Sequence, residues 1–254
     1  MTAARTSPGS AQARLYESYA STHAGVGDGR AAALVYRRDI RPHLLRPGEP
    51  ARVLDIGCGQ GDLVRLMLAD GLDAFGVDVS PEQVRLARDS GLVRVLEGDF
   101  HDRLHAEAGG WDAVVATDVL EHLATDDLLR TFESVLHALR PGGVFVARVP
   151  NATSPVGGHI MYGDITHRTW FTPRSVAQLA AVAGFGSVAC FACPPPVHGV
   201  LSLIRAAAWR LVSAGYKGAL IVETGQLRNH IVTQNLTFVA RATGADGARR
   251  VGSG

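Results

Sequence analysis

The chain has 254 residues, 46% of them hydrophobic and 19% charged. That balance excludes wholesale disorder, collagen and coiled coil, and the length suits one large domain or one domain with insertions. A formal net charge of +1 leaves no overall electrostatic footprint for duplex nucleic acid or an anionic membrane.

Three cysteines, Cys58, Cys190 and Cys193, make no disulfide framework. The C-x-x-C of Cys190 and Cys193 runs into Pro194-Pro195-Pro196 rather than a redox-motif helix, so packing is its simpler role. No basic start leads into an apolar run at the N-terminus, and no run reaches the ~18 apolar residues of a spanning helix. The expectation is a soluble, cytoplasmic protein with no nucleic-acid partner and no stable membrane insertion.

Residues 1–12 are small and polar and read as disordered. Helices follow at 13–20 and 30–45, separated by Gly25, Gly27 and Gly29, and Pro47–Pro50 marks a boundary. Residues 1–49 thus read as an N-terminal helical segment with a disordered start. Strands are expected at 52–56, 74–77, 93–96, 113–116 and 144–149, and helices at 63–69, 81–88 and 125–139. Ser80 caps the helix that opens at Pro81. Leu128, Leu129, Phe132, Val135, Leu136 and Leu139 share one side of the longest helix. Strands alternating with helices imply an α/β, Rossmann-like, doubly wound and mostly parallel sheet of seven strands. A polar loop then occupies 150–172, and Thr172 caps a helix from Pro173 to Gly184. A strand covers 186–192, an apolar helix 198–214 and a last strand 229–240. The main domain is taken as 50–242, with an insertion at 194–228 and a flexible tail at 243–254.

Chemistry concentrates first in Val53-Leu54-Asp55-Ile56-Gly57-Cys58-Gly59-Gln60-Gly61. A buried strand ends here, and alternating glycines let a ligand approach the main chain. The dinucleotide fingerprint would place its third glycine one residue later, and Asp55 would repel a pyrophosphate but welcome a cationic ligand. Asp78 ends the second strand and suits ribose hydroxyls. Asp99 follows the third strand and suits an adenine amino group, with Val79 or Phe100 against the ring. Singly, Asp78 and Asp99 are ordinary turn or cap residues. At the ends of three successive strands, Asp55, Asp78 and Asp99 make a ligand site.

Residues 51–149 therefore resemble a class I S-adenosylmethionine-dependent methyltransferase. The match rests on Asp55-x-Gly57-x-Gly59-x-Gly61, Gly76-Val-Asp78-Val-Ser, Gly98-Asp99-Phe, Trp111-Asp112-Ala-Val-Val and Leu139-Arg-Pro-Gly-Gly143. The resemblance implies S-adenosylmethionine as cofactor, its methionyl end on Asp55 and the loop of Gly57, Cys58, Gly59 and Gly61. It places ribose on Asp78 and adenine near Asp99, with Thr117 also on the cofactor side. It further implies a lid that brings Tyr16, and with it Tyr19 and His23, near the methionyl group or acceptor. Plain hydrophobic docking of that helix is the competing reading.

Methyl transfer to a hydroxyl needs in-line alignment and help with the proton, from a base or a metal. Asp118, Glu121 and His122 lie at i, i+3 and i+4 and would share a helical face, a spacing that also suits a metal. His159, Tyr162, Asp164, His167 and Trp170 crowd the loop that follows. The D-V-L-E-H-L stretch is similar to that of small-molecule and sugar O-methyltransferases. Asp118-x-x-Glu121-His122 and His167-Arg-Thr-Trp-Phe-Thr172 also resemble, loosely, the metal-holding segments of small-RNA 2′-O-methyltransferases. Three readings stand open. His122 and His167, with Glu121, act as base and positioning groups; or Asp118, Glu121, His122 and His167 hold a divalent metal; or all four cap and pack. His159, Tyr162, Asp164 and Trp170 are the candidate substrate contacts.

The expected function is methyl transfer to a small-molecule acceptor, an oxygen nucleophile on a sugar or natural-product intermediate. An NAD(P)-binding oxidoreductase and a non-catalytic cofactor-binding partner protein are the alternatives. The insertion could wall the acceptor pocket, form a homodimer face or lie on a membrane surface.

Overall fold

The computed structural model describes residues 29–44, 51–197, 199–227 and 230–244. The expected helix at 13–20, with Tyr16, Tyr19 and His23, lies outside the described residues, as do the Pro47–Pro50 boundary and most of the tail.

Strand β1 (Arg52–Ile56) is buried at every residue from Val53 onward, as a strand covered on both faces must be. β2 (Asp73–Asp78) and β3 (Val95–Glu97) extend the sheet on one side. β4 (Trp111–Thr117), β5 (Leu139–Pro150), β6 (Ser187–Ala192) and β7 (Asn235–Arg241) extend it on the other. The order is β3-β2-β1-β4-β5-β7-β6. β1 to β5 run parallel, and β7 runs antiparallel to both β5 and β6. The winding reverses between β1 and β4, and in open α/β sheets ligands sit outside the carboxyl ends of the strands at that reversal.

Helices cover both faces. α1 starts as Gly29–Val35, widens through a π-turn at Tyr36–Ile40 and closes at Arg41–Leu44. With α2 (Asp62–Ala69) and α3 (Pro81–Asp89) it packs on Val53, Ala113, Val115 and Val146. α4 (Phe100–Ala106), α5 (Thr125–Ala138) and α7 (Pro173–Ala183) cover Leu54, Val114, Phe145 and Phe238 on the other face. Neighbouring residues of one strand thus feed opposite core layers, the period-2 geometry of a strand. A short α6 (Gly157–Met161) interrupts the polar loop, and α8 (Val200–Thr224) fills the insertion.

The sheet and its class match expectation, while several boundaries move. β3 starts at Val95 because Val93 is 80% exposed. α4 was not expected: it buries only His101 and Leu104, too little for a visible period. β5 begins at Leu139 rather than 144, carrying Pro141-Gly142-Gly143 within the strand, where the β4 register shifts between Trp111 and Ala113. β7 starts at Asn235 rather than 229 because the Asn151 side chain takes the carbonyls of Ile231 and Thr233 out of any ladder. α8 runs ten residues past the expected end at 214, through Gly215 and Gly218. Cys190 and Cys193 are free thiols, and the Cys193 sulfur lies 3.2 Å from Thr237 Oγ1.

Candidate active site

After β1 the chain turns through the glycine loop. The amides of Gly57 and Cys58 both donate to the carbonyl of Val77, at 2.8 and 3.2 Å, which pins the loop to β2. Gly57 has φ +66°, and a Cβ there would lie 2.5 Å from Val119 Cγ2. Gly61 has φ +79°, and a Cβ there would lie 2.3 Å from Leu92 Cδ2. Both positions need glycine for conformation and for space. At Gly59 a Cβ would meet nothing closer than Gln83 Oε1 at 3.9 Å, so this side of the loop is open. The Cys58 sulfur fits over Gly76, and burial pushes its thiol far up, so it packs rather than reacts.

Asp55 is 2% exposed. Burial first, and the Asp78 carboxylate second, hold its pKa well above the ordinary range. Asp78 accepts 2.8 Å hydrogen bonds from the amides of Gly59 and Ser80, tying the end of β2 to the glycine loop. Burial raises its pKa and those two donors oppose the rise. Val79 is exposed beside it. Asp99 accepts from the His101 amide at 2.8 Å and so caps α4, while Phe100 packs on the His101 ring with centroids 4.5 Å apart. Its capping role was the ordinary alternative weighed above, and it engages one carboxylate oxygen.

Across the reversal, β4 ends at Thr117, whose buried Oγ1 finds no hydrogen-bond partner among the described residues. Asp118 then takes φ +56°, the one non-glycine residue in that region among those described. Only a 3-10 turn, Leu120–His122, follows. The shared helical face expected for Asp118, Glu121 and His122 does not form. Asp118 is exposed and pairs with Arg148, so it stands outside the metal-ligand set expected for it.

Glu121 and His122 turn inward, 1% and 8% exposed, and the 150–172 loop brings His167 to them. The amides of Arg168 and Thr169 donate to the Glu121 carbonyl at 2.7 and 3.0 Å, and Thr169 Oγ1 donates to the Leu123 carbonyl at 2.9 Å. One ligand atom each from Glu121, His122 and His167 lie within 4.8 Å of one another. Glu121 Oε2 is buried without a hydrogen-bond partner among the described residues. Burial, then the Asp118 charge, raises the Glu121 pKa well above the usual carboxylate range.

The two imidazoles are oriented by their other nitrogens. Thr166 Oγ1 gives its single proton to Asp164 Oδ1 at 2.6 Å. Toward His122 Nδ1, 2.8 Å away, that hydroxyl must accept, so Nδ1 carries the ring proton and Nε2 is the basic nitrogen. His167 Nδ1 lies 3.2 Å from the Ile160 carbonyl, which assigns its proton in the same way. Burial, then His167, lowers the His122 pKa and favours the neutral ring. Asp164 thus acts through Thr166 on His122. Thr166 was missed in the sequence, although an acid two residues before a threonine is an Asx-turn signal; its amide does donate to Asp164 Oδ1 at 2.8 Å.

Other expected substrate contacts stand further out. His159 and Tyr162 are exposed. Trp170 meets the Tyr162 ring edge-on at 5.9 Å and lines a cleft of about 340 Å³ between α5 and α7 with Leu129 and Leu179.

Residues 30–189 match the family model of a methyltransferase domain. Ubiquinone biosynthesis O-methyltransferases are among the similar curated proteins. The one from Sinorhizobium medicae is 34% identical over 141 residues, 54% of this chain and 56% of its own length. The one from Xylella fastidiosa is 32% identical over 109 residues, 41% and 44% of the two chains. The chain thus spans about half the length of the curated relatives it matches. Among solved structures, a SAM-dependent methyltransferase from Archaeoglobus fulgidus aligns with a TM-score of 0.67 at 20% identity, over 88% of this chain and 98% of that one. A Haemonchus contortus phosphoethanolamine N-methyltransferase 2 in complex with S-adenosyl-L-methionine aligns at 0.55 and 19%, over 85% and 53%. The match covers well over half of this chain, and with the glycine loop and the sheet order it decides the family: the chain belongs to the methyltransferase-domain family and has the fold of the class I S-adenosylmethionine-dependent enzymes.

Proposed function

We propose that this protein transfers a methyl group from S-adenosylmethionine to a hydroxyl of a small-molecule acceptor. The observation that carries the reading is the convergence of Glu121, His122 and His167 beside the glycine loop, which touches the same turn through Val119. The cofactor, when bound, supplies an electrophilic methyl on a sulfonium. Its fit rests on two acids that burial has raised, Asp55 and Asp78, which a cationic ligand would help to ionise, and on the open side of Gly59. Asp55 with Gly57, Cys58, Gly59 and Gly61 would hold the methionyl end and Asp78 the ribose. Val79, Asp99, Phe100 and Thr117 would line the rest. His122 Nε2 would accept the hydroxyl proton, and Asp164 and Thr166 would hold that ring in its Nδ1–H form. The names of the Sinorhizobium and Xylella relatives support an oxygen nucleophile on a small molecule.

One observation favours a second reading. Glu121 Oε2 is a buried oxygen without a partner among the described residues, and one oxygen of that carboxyl group lies within 4.8 Å of a ring nitrogen of both His122 and His167. One carboxyl group and two imidazoles are a donor set that would suit a divalent metal, which would polarise the acceptor oxygen.

A thermal-shift titration separates these readings, using S-adenosylhomocysteine and NAD⁺, each with EDTA and then with Mg²⁺ or Mn²⁺. Ligand at 100 times its Kd adds about 2.7 kcal/mol. Stabilisation by the sulfur ligand alone is expected, and stabilisation by NAD⁺ alone overturns the reading. An EDTA-sensitive shift favours the metal over the metal-free base. Transfer of labelled methyl to a panel of phenolic and sugar hydroxyls then identifies the acceptor class.

A further inference from the structure

We infer that α8 is a docking helix that lies in the plane of an anionic membrane surface. Tethered between the Pro194-Pro195-Pro196 run after β6 and the segment before β7, this 25-residue helix packs closely against no other described element. At 3.6 residues per turn, Ser202, Ala206, Trp209, Ser213, Tyr216 and Leu220 share one side, and together with Ile221 at its edge these are its buried or half-buried residues. The opposite half carries Val200, Leu201, Ile204, Leu211, Val212 and Val222, each 54–87% exposed. The rest of that half is Leu203, Ile221, alanine and glycine, and none of it is charged. The helix is roughly 37 Å long at 1.5 Å per residue, so this is a continuous apolar strip rather than scattered exposure.

Charge selects the occupant. Arg205 borders the strip on one side, and Arg210 and Lys217 border it on the other. Lys217 is the only lysine in the chain. Against these three cations the helix has one acid, Glu223, which leaves +2 on a chain whose total is +1. The overall balance conceals this local excess. Long cationic side chains flanking an apolar face can lay their stems along it and place their heads at lipid phosphates. A second copy of the helix would bring the same excess of +2, with only its own Glu223 to set against the cations. No helix among the described residues is long and apolar enough to cross a membrane, so the mode is surface docking.

The test is flotation of the full chain with vesicles of phosphatidylcholine alone or mixed with phosphatidylglycerol, at low and high salt. Binding to the anionic vesicles only, weakened by salt, is expected. Arg205→Gln, Arg210→Gln and Lys217→Gln should each weaken it about five-fold. Ile204→Asp with Leu211→Asp should abolish it while the melting temperature and circular dichroism stay unchanged. Equal binding to neutral vesicles, or binding to neither kind, overturns the proposal. So does a dimer in light scattering that the Ile204→Asp, Leu211→Asp variant renders monomeric, which would give the face to a second copy. None of these readouts depends on methyl transfer.

Discussion

The loops that follow β1 and β4 stand side by side at the reversal of the sheet, and they hold their groups by opposite means. The end of β1 and the loop after it spend seven consecutive residues, Asp55 to Gly61, on one task, with positive φ at all three glycines and the loop amides fastened to Val77 and Asp78. The β4 loop contributes Glu121 and His122 but depends on a segment more than forty residues away for His167, Thr166 and Asp164. Backbone shape fixes the first site, and side-chain hydrogen bonds across the chain assemble the second. A preorganised backbone loop loses function when its shape changes, whereas an assembled cluster loses it when one partner atom goes.

Substitutions can break that contrast. The largest effect is expected for His122→Ala, which should lower turnover by about 10²–10⁴-fold. S-adenosylhomocysteine affinity, read by calorimetry, should hold, and joint loss of both would mean that the two loops form one unit. Gly57→Ala should do the reverse. The strained φ and the clash with Val119 should together cost about 3 kcal/mol in urea unfolding, and cofactor affinity should fall. Gly59→Ala meets no clash and should cost only about 1–2 kcal/mol.

Asp55→Asn sharpens the electrostatics and should weaken S-adenosylmethionine binding by about 10–100-fold. Its native pKa is raised, so the folded state holds this proton more tightly than the unfolded chain does. The stability so conferred is present below the ordinary carboxylate pKa and is lost as pH rises toward the raised value. The unliganded variant should therefore lack that slope in urea unfolding and gain about 1 kcal/mol near neutral pH. The smallest effect is on the relay: Thr166→Val should reduce turnover about tenfold, and Thr166→Ser should restore it. Nitrogen NMR of His122 should show the Nδ1–H tautomer in the parent and in Thr166→Ser, and its loss in Thr166→Val.

The glycine loop and its acids were legible because each sits next to its own strand end and forms a contiguous pattern. Strand and helix order was legible because burial on both faces of a parallel sheet writes near-continuous apolar runs. The cluster was only half legible. Glu121, His122 and His167 were candidates by residue type, but the helical face drawn through Asp118 was wrong. A positive φ at Asp118 and its pairing with Arg148 stop any helix there. Thr166 carried only a local turn signal, and nothing local said that its hydroxyl would face His122.

Sequence by itself determined the alternation of strands and helices, the loop at Gly57 to Gly61 and the acids that end β1 and β2. These follow from local periodicity and from the need for space and positive φ at glycine. Tertiary structure alone decided that Asp118 leaves the cluster, that Asp164 and Thr166 set the His122 proton, and that the apolar half of α8 faces outward. Each depends on which distant atoms come within hydrogen-bond reach or leave a face uncovered, and the packing of the sheet settles that rather than the order of residues along one element.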